Sequence, residues 1–138
     1  MKKTLHVVGA IIENEQNEVF CALRSPEMVL PNYWEFPGGK IEADETPETA
    51  LKREILEEFL CRIHVGEKVA DTTHEYDHII VRLETYKATL VDGPDPIVIE
   101  HAEARWVPKG ELLQLNFAPA DIPAVKKLAA EVTLKEEI

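Results

Sequence analysis

Gly39 to Cys61 read GKIEADETPETALKREILEEFLC, and this stretch decides the fold. Thr46 followed by Pro47 marks a helix start: a threonine oxygen caps the first free N–H groups, and a proline at the first helical position has no N–H to leave unpaired. Leu51, Ile55, Leu56 and Phe59 then recur at the spacing of one helical face, which predicts a stripe turned to the core. At about 100° per residue, Glu57, Glu54 and Glu58 fall near −60°, 0° and +40°, so three carboxylates crowd an arc of roughly 100°. Ala50 lies on that face, where a small side chain leaves room for a ligand. Like charges at i,i+4 cost a helix on the order of a few tenths of a kcal/mol, so the crowding needs a cation. Hard oxygen ligands converging on one point suit Mg²⁺ or Mn²⁺. Ahead of the helix, Gly38-Gly39 forms a turn.

Upstream, Leu5 to Ile12 is an apolar run with strand character, Glu13 to Asn17 a polar turn and Val19 to Arg24 a second strand. Together they predict an antiparallel pair. Ser25 to Asn32, with Pro26 and Pro31, is a loop, and Tyr33 to Phe36 a short extended piece. Downstream, Arg62 to Ala70, His78 to Leu90 and Ala104 to Val107 read as strands, and Asp92 to Pro96 as a turn. Lys109 to Leu115 reads as a short helix, and Pro123 to Leu134 as an amphipathic helix with Val125, Leu128, Ala129 and Val132 inward. Strands and helices in this order predict an α/β fold with a mixed sheet between helices.

The 138 residues suit one domain, residues 1–138, with one buried core. Two cysteines, Cys21 and Cys61, offer no disulfide framework, which suits free thiols in a cytoplasmic protein. MKKTLHVVGAII at the N-terminus is read as a strand and not a signal sequence, because His6 interrupts it and ENEQNE follows without a small-residue cleavage pattern. No segment approaches the roughly 20 apolar residues that span a bilayer. A formal charge of −11 argues against duplex nucleic acid, whose binding runs on clustered Lys and Arg. It leaves room for a small polyanion where metal and a few basic residues invert the field locally. His64, His74 and His78, at spacings of ten and four, form no ligand motif.

The stretch resembles the Nudix hydrolase family, whose box is Gly, five residues, Glu, seven residues, Arg-Glu, an aliphatic residue, any residue, Glu-Glu, any residue, Gly and an aliphatic residue. Gly39, Glu45, Arg53, Glu54, Ile55, Glu57 and Glu58 fill it, and Leu60 and Cys61 depart from it. The resemblance extends to EFPGGK, Glu100, Trp106 and FAPADIP, in the MutT-like and CTP-hydrolysing branch. It implies an αβα sandwich and a Mg²⁺-dependent pyrophosphohydrolase that splits a nucleoside triphosphate into NMP and pyrophosphate. The role it implies is clearing 8-oxo-dGTP-type nucleotides from the pool. CTP or modified dCTP is the alternative substrate, with ADP-ribose or dinucleotides behind. A small nucleotide is then the partner, and the protein is a monomer or a homodimer. A rival of another class is a Nudix-fold binding or regulatory protein without catalysis, although such proteins usually lose box acids and this one has them all.

By the same resemblance, Glu54, Glu57 and Glu58, with the Gly38 carbonyl, would hold the ions, and Arg53 would orient the glutamates by pairing with Glu45. The general base is a box glutamate or Glu100, six residues before Trp106, which is also a candidate ligand; Glu103 and His101 are its rivals. Arg24 resembles a phosphate-contacting arginine. Asp121 in FAPADIP is either a base-reading residue or a cap for the helix at Pro123. Ionised, it can only accept hydrogen bonds, which suits an amino group of cytosine or guanine; protonated, it could donate and accept, as 8-oxoguanine requires. Phe36 and Tyr76 are candidates for stacking on the base. Leu60 stands where a helix-ending glycine is usual, so either it is strained or the helix ends differently.

Overall fold

The structure is a computed structural model. It describes residues 1–92 and 95–137, with the side chains of the last helix described as far as Val132. The turn expected at Asp92 to Pro96 includes Gly93 and Pro94, and so lies partly outside the described residues. The elements are β1 (Lys3–Ile12), β2 (Glu18–Leu23), β3 (Trp34–Glu35), β4 (Gly38–Lys40), α1 (Pro47–Phe59), β5 (Ile63–Glu75), β6 (Ile79–Leu90), β7 (Glu103–Pro108), two short 3₁₀ helices (Lys109–Gln114 and Pro119–Asp121) and α2 (Ile122–Glu137).

The strands form two sheets rather than one. The first runs β4-β1-β6-β5 and the second β3-β2-β7. β1 and β6 are parallel over ten residue pairs, while β1–β4 and β5–β6 are antiparallel, so the first sheet is mixed. The antiparallel β1–β2 pair expected from the polar turn does not extend into a ladder. The turn closes with the Asn14 amide donating to the Glu18 carbonyl at 3.1 Å and one bridge, Glu13 to Val19. β1 then has β4 on one edge and β6 on the other, which leaves β2 no edge to join.

Alternation along these strands serves two cores, and this is why their apolar runs are nearly continuous. Val8, Ala10 and Ile12 of β1 and Phe20 and Ala22 of β2 pack with Ala50, Leu51, Ile55 and Phe59 of α1. Ile11, Val19 and Cys21 belong to the opposite core, with Ala124, Val125 and Leu128 of α2. The layer of sheets therefore lies between the two helices. Ala129 and Val132, expected inward, are half-buried at the margin.

α1 starts where expected, with the Thr46 hydroxyl accepting from the Thr49 amide and Pro47 in the first turn. Two assignments on it change. Ala50 is fully buried in the core and leaves no open space for a ligand, whereas Leu56 is 43 % exposed. Taking Glu54 as 0°, the buried arc runs from Ala50 near −40° through Glu58, Leu51 and Ile55 to Phe59 near +140°. Leu56, near 200°, falls outside it. The buried arc thus includes two of the carboxylates. The helix ends at Leu60 in the left-handed conformation (φ 53°, ψ 35°), its N–H bonded to the Leu56 carbonyl. Leu60 accordingly bears a strain of roughly 1 kcal/mol that a glycine would avoid.

Candidate active site

β4 and α1 meet at the paired glycines. A Cβ on Gly38 would collide with the Val8 carbonyl oxygen of β1, and a Cβ on Gly39 would collide with the Glu54 carboxylate. Gly38 must therefore be glycine for the β1–β4 approach, whereas glycine at position 39 leaves the Glu54 carboxylate its place. The sequence had suggested only a turn there, with the Gly38 carbonyl as a ligand by resemblance. Arg53 is the hub of the box. Its Nε and Nη2 donate to the two Glu45 oxygens at 2.7 and 2.9 Å, Nη1 to Glu54 at 2.8 Å, and Nη2 also to the Lys40 carbonyl at 3.0 Å. This fork holds the Glu45 carboxyl down to about 2, fixes Glu54 and ties α1 to β4.

The three helix glutamates separate by environment. Glu54 and Glu58 face a cleft of about 610 Å³, whereas the Glu57 side chain is 60 % exposed, 3.5 Å from Arg53. Glu58 Oε2 is buried without a hydrogen-bond partner. Its carboxyl is pushed up to about 8 by burial, by the charge and shared hydrogen bond of Glu54, and by the charges of Glu35 and Glu100. Glu100 is exposed, on the segment that crosses the end of α1 with the Ile97 amide bonded to the Phe59 carbonyl at 2.8 Å. Neighbouring His101 is buried and stacks on Phe59, ring centroids 5.4 Å apart.

A hard divalent cation fits this donor set, because an orphaned, desolvated carboxylate oxygen beside a second carboxylate is what such an ion satisfies. Among the described residues, no three His, Cys, Asp or Glu side chains are gathered into a cage. One or two carboxylates completed by water and substrate oxygens is the habit of small hard cations.

The same cleft is lined by Arg24, Phe36, Tyr76 and Asp121, residues from four separate segments. Asp121 is 5 % exposed and accepts from the Phe36 amide at 3.3 Å. Of its two readings the structure favours the cleft wall over a helix cap. Burial first, and then the charge of Glu35, raise its carboxyl well above the ordinary range. Phe36 is 3 % exposed and packs on Phe117, serving core and cleft together. The Tyr76 hydroxyl accepts from the Ala120 amide at 3.1 Å, and its ring meets His74 edge-on. Arg24 donates to the Val29 carbonyl at 2.7 Å and to Glu35 at 2.8 Å.

Two residues in this site escaped the sequence. Glu35 was read only as part of a short extended piece, and His101 only as a rival for an exposed role. The signal available for Glu35 was alternation, since Trp34 and Phe36 on either side are both buried. Alternation does not say what lies opposite the odd residue.

A family model described as NUDIX domain matches residues 7–127. The CTP pyrophosphohydrolase of Escherichia coli is 36 % identical over 93 % of this chain and 93 % of its own length. The 8-oxo-dGTP diphosphatase of Escherichia coli is 32 % identical, over 91 % of this chain and 97 % of its own. Among solved structures, the MutT DNA mismatch repair protein of methicillin-resistant Staphylococcus aureus, a Nudix hydrolase, superposes with a TM-score of 0.77. It is 54 % identical, over 95 % of this chain and 99 % of that one.

Proposed function

The chain belongs to the NUDIX family of hydrolases, which generally need a divalent cation, and on that premise we propose that it is a Mg²⁺-dependent nucleoside triphosphate pyrophosphohydrolase of the 8-oxo-dGTP type. The observation that carries the reading is that one cleft is lined by Glu54 and Glu58 and by a buried Asp121 whose carboxyl is raised well above the ordinary range. The glutamates suit phosphates with their metal, Asp121 a base edge.

Glu54, Glu57, Glu58, Glu100 and the Gly38 carbonyl are the proposed ligands. When bound, Mg²⁺ supplies neutralisation of phosphate oxygens and polarisation of the linkage. Arg53 touches none of the substrate; it holds Glu45 and Glu54 in place. Arg24 meets the phosphates or ribose. A water oxygen bonds to a phosphorus of the chain while the bond from that phosphorus to the bridging oxygen breaks, leaving NMP and pyrophosphate. The water's proton passes to Glu57 or Glu100, the two acids of the set that face solvent. A protonated Asp121 offers a donor and an acceptor together, which matches O6 and N7–H of 8-oxoguanine. The same pair of groups matches N3 and the N4 amino group of cytosine, and the identity with a CTP pyrophosphohydrolase keeps CTP or modified dCTP as the second reading.

The test is pyrophosphate release from a nucleotide panel with and without Mg²⁺. Turnover of 8-oxo-dGTP above dGTP supports the first reading and turnover of CTP the second. If both stay intact while ADP-ribose is cleaved, the assignment of Asp121 is wrong. In the same assay Glu57→Gln abolishes release and leaves thermal unfolding unchanged; full activity in that variant removes its role.

A further inference from the structure

Glu35 is an acid among acids. It lines the cleft, and its side chain is 19 % exposed. Its carboxylate is fully engaged. Oε1 accepts from Arg24 Nη1 at 2.8 Å and Oε2 pairs with His101 Nε2 at 2.8 Å. A carboxylate only accepts, so His101 donates from Nε2. The His101 side chain is 4 % exposed and rests on Phe59 of α1.

These bonds join three segments that sequence separates. Glu35 sits on β3 opposite Ala22 of β2, Arg24 follows β2, and His101 stands next to Glu100. The Ala102 amide donates to the Leu23 carbonyl at 2.9 Å, so backbone and side chain pin the same segment. Arg24 Nε is bonded to the Val29 carbonyl. With Nε and Nη1 committed to protein, the planar guanidinium is locked and its Nη2 edge is left for a ligand.

We infer that Glu35 is a positioning residue, which holds Arg24 over the cleft and, through His101, sets the Glu100 segment against the end of α1. It does not meet the phosphates, since two anions would repel. The inference rests on the hydrolase reading for its kinetic consequences and on the hydrogen bonds alone for its structural ones.

The experiment pairs kinetics with NMR. Glutamine at position 35 can accept from one partner but opposes the other with its own N–H groups. Glu35→Gln is expected to lower kcat/KM by about 30-fold, mainly through KM, and to raise the Mg²⁺ concentration for half-activation. Because Glu35 acts through Arg24, the KM loss in Arg24→Ala/Glu35→Gln exceeds that of Arg24→Ala by no more than about 2-fold. His101→Gln, which keeps a donor for Glu35, loses less than His101→Leu. In substrate-free protein the Arg24 Nε–H resonance, slow to exchange in the wild type, exchanges fast in Glu35→Gln. Losses that multiply in the double variant, or an Arg24 resonance unchanged by Glu35→Gln, overturn the inference. Should Glu35→Gln not fold, Glu35→Asp, one methylene too short for both partners, is read the same way. If wild-type protein releases pyrophosphate from no nucleotide, the hydrolase reading falls by itself and the NMR comparison still decides the clamp.

Discussion

Charged groups are buried on both sides of the sheets, and the two sets are built differently. Beside α2, Lys109 (5 % exposed) lies 3.0 Å from Glu13 and 3.0 Å from Glu131, while Lys87 reaches Glu131 at 2.9 Å and Glu13 at 3.5 Å. Two cations meet two anions. Burial pushes Glu131 up, but its bonds to Lys87 and Lys109 hold it below the ordinary range. At the cleft, Arg53 bonds Glu54 and Arg24 bonds Glu35, while Glu58 and Asp121 pair with neither arginine and are both raised. The first set has a cation for each anion; the second has acids left over, and such groups are where a ligand binds.

The contrast can be broken at either end. The largest effect is expected from Glu58→Gln: Mg²⁺-dependent turnover falls by about 10²–10³-fold, while metal-free protein unfolds at the same temperature as wild type or higher. A variant that loses stability as much as activity would make Glu58 structural and erase the distinction. Lys109→Met should do the reverse. Removing one cation from the quartet leaves Glu13 and Glu131, among the described residues, to Lys87 alone and costs about 2 kcal/mol in urea unfolding, with turnover per folded molecule retained.

A smaller effect tests the same contrast through pH. The Glu58 carboxyl stands near 8 in the folded protein against 4.5 in the reference state, so between these values the folded form holds a proton that the unfolded form has lost. Metal-free stability therefore falls as pH rises from about 5 through 8, by on the order of 1–2 kcal/mol once solvent screening is allowed for. Saturating Mg²⁺ should cancel the slope, and a slope that persists with Mg²⁺ would place its source elsewhere. Smallest is Leu60→Gly, which relieves the left-handed leucine and stabilises by about 1 kcal/mol in the same unfolding assay.

What could be read in advance follows the range of the forces involved. The α1 start depends on neighbours within three residues, Thr46, Pro47 and Thr49, and was legible for that reason. The β1–β2 pairing was not, because β4 and β6 take the edges of β1 from distant parts of the chain. Ala50 and Leu56 were misplaced by about one residue's rotation of the helix, since periodicity defines a stripe but the docking of α1 on the sheets decides where its margins fall. Glu35 and His101 are 66 residues apart, and no local pattern announces that they meet.

Sequence by itself determined the chemistry on offer: the box acids, the arginine at their centre, the two glycines and the reaction class they resemble. Tertiary structure alone decided which acids are withdrawn from water, and so which need a cation. It left Glu57 at the surface, buried Glu58 with an oxygen unpaired, and enclosed Asp121, which raises its carboxyl well above the ordinary range. The physical reason is that a carboxylate's charge state depends on solvation and on charges within several ångströms, and both are set by residues far away along the chain.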